Sequence, residues 1–353
     1  LYLLDKQNLP LLAIQSLDSR AVETVDEFAA DGRDDLIYDI CLQKPWPSQT
    51  ATLLAWLKRH APDIYAQTGT AFLCKDYLRF CLTGTIGSDY SDMSGCGLLR
   101  LPSLEYDQEL LTHYGLEDCP NLLPPLSQST DIIGKVTPEA AEQTGLQAGT
   151  PMVAGLFDIV ASALGAGTTQ PGQASIVAGT WSINQVVVEQ PVSDPSIFMA
   201  AAISPDRFVE AEASATSATN LAWMVREFLT DNDMQADEST VLAHCNELVA
   251  GVELVPGLPI FHPFIYGSGS NGSARAGFYG IGGWHTRAHM IHAIYEGVVF
   301  GHLQHIAKLR NAGVDFNSAT LSGGASRSPI WPQMFADILD VEVTVSECTE
   351  TGA

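Results

Sequence analysis

The chain has 353 residues, 46% of them hydrophobic, long enough for two domains that each bury a core. Its 17 Lys and Arg stand against 41 Asp and Glu, a formal net charge of −24, so neither nucleic acid nor an anionic membrane gains from counterion release on this surface. The seven cysteines (Cys41, Cys74, Cys81, Cys96, Cys119, Cys245, Cys348) are odd in number and form no Cys-x-x-Cys pair, which reads as reduced thiols in a cytoplasmic protein rather than a disulfide framework or a metal site. No apolar run approaches a membrane span, and no signal peptide is visible.

In chain order, the first part reads as strands over 1–5 and 11–17, a helix over 21–30, a loop through Trp46-Pro47-Ser48, and helices over 49–59, 62–67 and 71–82. Asp18 and Arg20 follow the second strand as a polar pair; on the residues alone this is equally a strand-end salt bridge. Residues 104–129, with Pro120, Pro124 and Pro125, read as short helices and loop. A short strand at 133–136 and a helix at 138–145, capped by Thr137 and stopped by Gly145, come next.

The stretch from 149 onward carries the chemistry. Residues 149–154 (GTPMVA) read as a short buried strand ending at Gly155, and 159–167 as a helix closed by Gly165 and Gly167. Asp158 therefore stands where a strand gives way to a helix, as a helix cap or as a general base beside a ligand. Residues 174–189 form a hairpin whose tip, Gly179-Thr180, offers bare backbone N–H groups and a hydroxyl to an anion. A strand at 207–212, a helix at 218–229 and an Asp-rich surface connection at 231–238 follow.

Helix 287–310 sets Ile291, Ile294, Val298 and Ile306 on one face. The strand 318–322 runs into Gly323-Gly324-Ala325 ahead of a helix at 328–339; that junction is either a tight packing turn or a place where a phosphate meets the backbone. A base beside a phosphate cradle points to phosphoryl transfer to an alcohol. His285, His289 and His292, then His302 and His305, read as capping and surface histidines rather than zinc ligands, since no His-Glu-x-x-His occurs.

Segments along the whole chain resemble the FGGY carbohydrate kinases. They are SQTATLLAWLKRH (48–60, with Leu53 where that family usually has Lys), KDYLRFCLTG (75–84) followed by DYSDMSG, RAGFYGIGGWHTRAHMIHAIYEGVVF (275–300) and LSGGASRSPIWPQMFADILD (321–340). Within the family, LDSRA (17–21), CKDYLRFCLTG (74–84), AGLFDIV (154–160), GTW (179–181) and HTRAHMIHAIYEGVVFGHLQH (285–305) are similar to bacterial L-xylulose kinases.

The resemblance implies an α/β protein with the two-domain sugar-kinase/heat-shock/actin ATPase fold, built from ribonuclease H-like domains. Residues 1–168 would bind sugar and 169–353 nucleotide. It implies ATP- and Mg²⁺-dependent phosphorylation of a ketopentose, L-xylulose or a related keto-sugar, with Asp158 as general base. Asp18 and Arg20 would meet the sugar, and Trp46, Gln49, Asp76 and Phe157, together with Asp92 and Ser94, are further pocket candidates. Gly179 and Thr180 would meet the β- and γ-phosphates, Gly277 would pack against the nucleotide, and Gly324, Ala325 and Ser328 would approach ribose and adenine. A homodimer follows by family habit; no nucleic acid or membrane partner is expected.

The resemblance also marks departures. No Asp-x-Gly-Thr/Ser occurs, although the family uses it for the first phosphate loop and Mg²⁺ placement, and the chain stops at Glu350-Thr-Gly-Ala353, ahead of a further family helix. The sequence thus reads as incomplete at both ends. A kinase for D-xylulose, ribulose or glycerol would share the chemistry, and a catalytically silent sugar- or nucleotide-binding member would account for the absent loop.

Overall fold

The computed structural model describes residues 1–16, 18–229, 238–267, 274–346 and 351. The chain forms two compact units, one of residues 1–160 and 188–210, the other of residues 161–187 and 211–353. It therefore passes between them at 160/161, 187/188 and 210/211, where the sequence division drew one boundary at 168/169.

The first unit opens with β1 (Tyr2–Asp5) and β2 (Pro10–Ala13), then α1 (Val22–Asp31), α2 (Arg33–Cys41), α3 (Thr50–His60), α4 (Pro62–Gln67), β3 (Thr68–Phe72) and α5 (Cys74–Thr83). The strands pair antiparallel in the order β2-β1-β3, with Tyr2 opposite Ala13 on one side and Phe72 on the other. Residues 71–72, read from sequence as the start of a helix, belong to β3. The β-branched and aromatic Thr-Gly-Thr-Ala-Phe run finds its hydrogen-bond partner in β1, far away in sequence, and that pairing overrides local helix preference.

Helix α3 places Leu53, Leu54 and Leu57 in the core with Phe28 of α1 and Ile37 of α2, and its last turn carries Lys58, Arg59 and His60, which suit the negative end of a helix dipole. Then come α6 (Tyr90–Gly95), α7 (Gln108–His113), β4 (Ile132–Lys135), α8 (Pro138–Thr144), β5 (Pro151–Val153) and α9 (Asp158–Gly165). Thr137 caps α8 by accepting from the Ala140 N–H, and Gly145 ends it, as the sequence indicated.

The strand read at 149–154 shrinks to β5, which pairs antiparallel only with β4; its Pro151 and Val153 are exposed. An apolar run states what a segment tolerates but not what covers it, so the expected buried strand is corrected to a surface ribbon. Strand 11–17 likewise contracts to β2.

After β6 (Gln173–Ala178) and β7 (Ser182–Val188), the chain returns to the first unit with β8 (Met199–Ser204) and the start of β9 (Arg207–Ser214). This arm is built into the first core. The buried Gln43 amide donates to the carbonyls of Ser94 (2.7 Å) and Ala200 (2.9 Å), the Ala202 N–H donates to Ser94 Oγ (2.8 Å), and Ala200, Ala202 and Phe208 join the apolar cluster of α1–α3. Glu210, fully buried, closes the arm by accepting the Val192 N–H on Oε1 at 2.7 Å.

In the second unit β6 and β7 form the predicted hairpin, and α10 (Thr219–Met224), α11 (Glu238–Ala250), β10 (Ile260–His262), β11 (Gly277–Tyr279), α12 (Arg287–Asn311), β12 (Ser318–Ser322), α13 (Trp331–Leu339) and β13 (Glu342–Val345) follow. The strands run β7-β6-β12-β13, with β12 parallel to both β6 and β13. Helix α12 buries Ile291, Ile294, Val298 and Ile306, the stripe read from sequence. The parallel register sets Val177 beside Ser322, so the glycine turns after β6 and β12 leave the same carboxyl edge of the sheet, where open α/β sheets bind ligands. Most of the Asp-rich connection, at 231–237, lies outside the described residues.

Candidate active site

In the first unit Asp158 begins α9, directly after the 154–157 turn. Its Oδ1 accepts the Ile159 N–H at 2.7 Å, so the carboxylate does serve the helix start. Burial nevertheless raises its pKa above the ordinary Asp value, although the residue keeps an exposed surface. A carboxyl made more basic while still reachable by solvent suits proton abstraction from an alcohol.

Asp18 and Arg20 form a bidentate pair, Nε to Oδ1 at 2.8 Å and Nη2 to Oδ2 at 2.8 Å. The guanidinium also lies 5.3 Å from the Trp56 ring centroid. Hydrogen bonds from Arg20 hold the Asp18 carboxyl below its usual range. An exposed pair like this stabilises a fold by only about 0–1 kcal/mol, so its fixed geometry counts for little in stability. It does keep a planar donor fork oriented at the surface.

The other sugar-side candidates divide. Trp46 packs at 5.7 Å from Phe198, and its buried Nε1–H has no partner among the described residues. Phe157 is half-buried, and its N–H donates to Ser91 Oγ at 2.8 Å. Gln49 is buried, and its Oε1 accepts from Tyr114 (3.1 Å) and Thr52 (3.3 Å).

Asp76 is fully buried. Its Oδ1 meets Lys75 Nζ at 2.7 Å and Arg79 at 3.1 Å, and its Oδ2 accepts from Ser88 at 2.7 Å. Asp92 and Ser94 are buried as well. Gln49, Asp76, Asp92 and Ser94 are thus buried side chains, and the partners given for Gln49 and Asp76 lie within the first unit.

In the second unit two cavities adjoin, sharing Leu221, Leu242, Gly324 and Trp331. The larger, of about 900 Å³, is walled by Leu221, Leu242 and the Tyr295 ring and carries Ser239, Asn246, Glu247, Arg327 and Ser328 as polar groups. The smaller, of about 300 Å³, ends at Gly179, Thr180 and Thr219. Thr219 Oγ1 donates to the Thr180 carbonyl at 3.2 Å and braces the hairpin tip. A Cβ placed on Gly179 would meet nothing within 4 Å, so the backbone there is open to a ligand.

Ser328 Oγ donates to Asn246 Oδ1 at 2.6 Å and accepts the N–H groups of Ile330 and Trp331, each at 3.2 Å, fixing the start of α13. That start lies three residues beyond the 328 read from sequence, because a 3₁₀ turn, Gly324–Arg327, comes first. Tyr295 Oη also donates to Asn246 Oδ1 (3.0 Å), and the Tyr295 ring stacks on Trp331 at 4.3 Å.

An apolar slot beside an open glycine tip is an arrangement that can take a flat base and its phosphates. Of the predicted nucleotide residues, Gly179, Thr180, Gly324 and Ser328 line these cavities. Ala325 is fully buried, and Gly277 sits in the separate β10–β11 ribbon; neither is among the lining residues. Sequence reading missed Asn246, Thr219, Arg327 and Tyr295. Only Arg327 left a signal, as a base beside a glycine turn in a chain with few bases.

The histidines need a correction. His289 caps α12 through Thr286, and His285 accepts the Gly282 N–H at 2.8 Å, as expected. His292, His302 and His305 are buried, not on the surface. His302 Nδ1 lies 3.1 Å from Ser182 Oγ and 2.8 Å from Asn184 Oδ1, its Nε2 lies 2.9 Å from Ser217 Oγ, and burial lowers its pKa to about 3. His305, 2.9 Å from Asn184 Nδ2, falls to about 4 for the same reason.

The comparisons with known proteins give the class: a carbohydrate kinase of the actin-like ATPase fold. The chain belongs to the FGGY family of carbohydrate kinases: residues 1–165 match the N-terminal domain of that family and residues 174–353 its C-terminal domain. It is 37% identical to an L-xylulose/3-keto-L-gulonate kinase of Escherichia coli K12, over 100% of this chain and 70% of that protein. A probable L-xylulose kinase of Pasteurella multocida is also 37% identical, over 99% of this chain and 71% of its own length. Among solved structures, a xylulose kinase from Rhodospirillum rubrum superposes with a TM-score of 0.87 at 26% identity, covering 100% of this chain and 71% of that one. No helix among the described residues is long and apolar enough to cross a membrane.

Proposed function

We propose that this carbohydrate kinase transfers the γ-phosphoryl group of ATP to a hydroxyl of a ketopentose, L-xylulose or a closely related keto-sugar. Asp158 is the general base. The observation that carries this reading is the raised, reachable Asp158 carboxylate at the start of α9, in a chain 37% identical along its whole length to an L-xylulose/3-keto-L-gulonate kinase. Asp158 takes the proton of the attacking hydroxyl, and Arg20, oriented by Asp18, donates to neighbouring hydroxyls. Trp46 and Phe157 supply apolar surface for the sugar's carbon face.

On the nucleotide side, Gly179 and Thr180 hold the phosphates through backbone N–H groups, and Gly324 and Ser328 border the base and ribose. Such transfer asks the protein chiefly for alignment and charge neutralisation. A Mg²⁺ that arrives bound to phosphate oxygens takes few protein ligands. That ion would neutralise charge on the transferring phosphoryl group.

The test is coupled ADP release by the full-length gene product against L-xylulose, D-xylulose, L- and D-ribulose, 3-dehydro-L-gulonate and glycerol. A preference for L-xylulose or 3-dehydro-L-gulonate in kcat/KM is the expected result. A preference for D-xylulose, ribulose or glycerol overturns the substrate, and nucleotide binding without sugar-dependent ADP release overturns the reaction.

A further inference from the structure

The first unit concentrates charge in one place that the reaction as described does not use. Lys75, near the start of α5, holds three carboxylates at once: Asp76 Oδ1 at 2.7 Å, Asp89 Oδ1 at 2.8 Å and Asp92 Oδ2 at 2.9 Å. Asp76 and Asp89 are fully buried and Asp92 nearly so. Burial, reinforced by Asp76 and Asp89, pushes Asp92 up to about 7, while the three carboxylates together outweigh burial and keep Lys75 firmly protonated. A buried ion cluster of this kind adds little net stability over a well-packed apolar one, so stability alone does not account for it.

What the cluster touches is the turn that precedes Asp158. Asp89 Oδ2 accepts both the N–H and the hydroxyl proton of Ser91, and also the Ser129 hydroxyl at 2.9 Å. Because the only proton on Ser91 Oγ goes to Asp89, its lone pairs face away from that bond, and one of them accepts the Phe157 N–H at 2.8 Å. Arg79, paired with Asp76, donates from its guanidinium to the Ala154 carbonyl, and the Gly155 N–H donates to the Ser129 carbonyl at 2.9 Å. The Phe157 ring lies against Gly95, where a Cβ would come within 2.6 Å of it. Residues 154, 155 and 157 are thus each tied to this cluster or its immediate neighbours.

We propose that Ser91, fixed by Asp89 and Lys75, is a positioning residue for Asp158: it clamps the Phe157 N–H and so sets the direction from which the next residue's carboxylate meets the sugar hydroxyl. This rests on the reading of Asp158 as the base. A base displaced by a fraction of an ångström still binds the same ligands but transfers the proton poorly. The signature is therefore a loss in kcat without a matching change in KM.

The experiment compares Ser91→Ala, the isosteric Asp89→Asn, Asp158→Asn and the Ser91→Ala/Asp158→Asn double variant in the full-length protein, by steady-state kinetics with thermal melting alongside. Ser91→Ala is expected to lower kcat on the order of tenfold, with both KM values within about twofold. Asp89→Asn, which keeps the shape of the cluster, is expected to lose less in the same way. In the double variant the loss should not exceed that of Asp158→Asn alone, since a clamp has nothing left to position. Unchanged kcat in folded Ser91→Ala and Asp89→Asn proteins, or losses that multiply in the double variant, overturns the clamp. If Asp158→Asn itself turns over normally, the assignment of the base falls instead, a result distinguishable from failure of the clamp.

Discussion

At the scale of single residues, the proposed chemistry turns on Asp158. Asp158→Asn preserves shape and hydrogen bonding at the helix start but cannot take a proton. It is expected to lower kcat by about 10²–10⁴-fold while both KM values stay within about twofold. The pH profile tests the same assignment. A base works deprotonated, and burial raises this carboxyl, so kcat/KM should fall on acidification through a pKa above the ordinary value of about 3.9, and Asp158→Asn should remove that limb.

The position of Asp158 was legible in the sequence because glycine punctuation and an apolar helix bracket it. Asp76 was not legible in the same way. Its surroundings are set by Lys75 and Arg79 on its own helix and by Ser88 across a turn, and nothing in an Asp's identity tells an internal ion pair from a pocket wall.

At the scale of elements, the two glycine turns at the carboxyl edge of the sheet differ in a testable way. Gly323 has φ +84°, and a Cβ there would lie 2.9 Å from both the carbonyl carbon and the oxygen of Ala178. Gly323→Ala should therefore push the hairpin tip away, costing about 1–3 kcal/mol in denaturant melts and weakening nucleotide binding. Gly179→Ala meets open space, so stability should stay within about 0.5 kcal/mol of the parent while KM for ATP rises if phosphate sits there. Equal stability losses in the two variants would contradict this account of the turns.

Strands 174–178 and 318–322 and the long α12 were legible because burial on one or both faces writes itself into hydrophobic periodicity. Strand β3 was not, and neither was the exposure of β5 in its ribbon with β4, because both depend on partners remote in sequence.

For the whole molecule, two buried acids with strongly raised pKa values lie in the first unit and two buried histidines with strongly lowered ones lie in the second. In the first, burial raises Glu210 to about 8 and Asp92 to about 7. Groups with raised pKa values bind more protons folded than unfolded, so they favour the fold below those values and lose that contribution as pH rises through them. In the second, His302 and His305 are lowered to about 3 and 4 from 6.5, so their neutral forms favour the fold above 6.5 and that contribution is lost on acidification. Glu296, raised by burial, offsets part of this. Between about pH 7.5 and 5.5, hydrogen exchange corrected for intrinsic rates should show protection rising in residues 1–160 and falling around α12. Parallel changes in both would contradict the assignment.

The returning arm 188–210 has a consequence for how such a protein can be inherited. Because its backbone leaves and re-enters the first unit, with Ala200 and Ala202 bonded to Gln43 and Ser94, neither unit corresponds to one uninterrupted stretch of gene. A recombination event joining the front of one kinase to the back of another would graft a foreign arm into a resident core. Successful chimeras should therefore carry three compatible junctions, or else co-vary at Gln43, Ser94 and the arm.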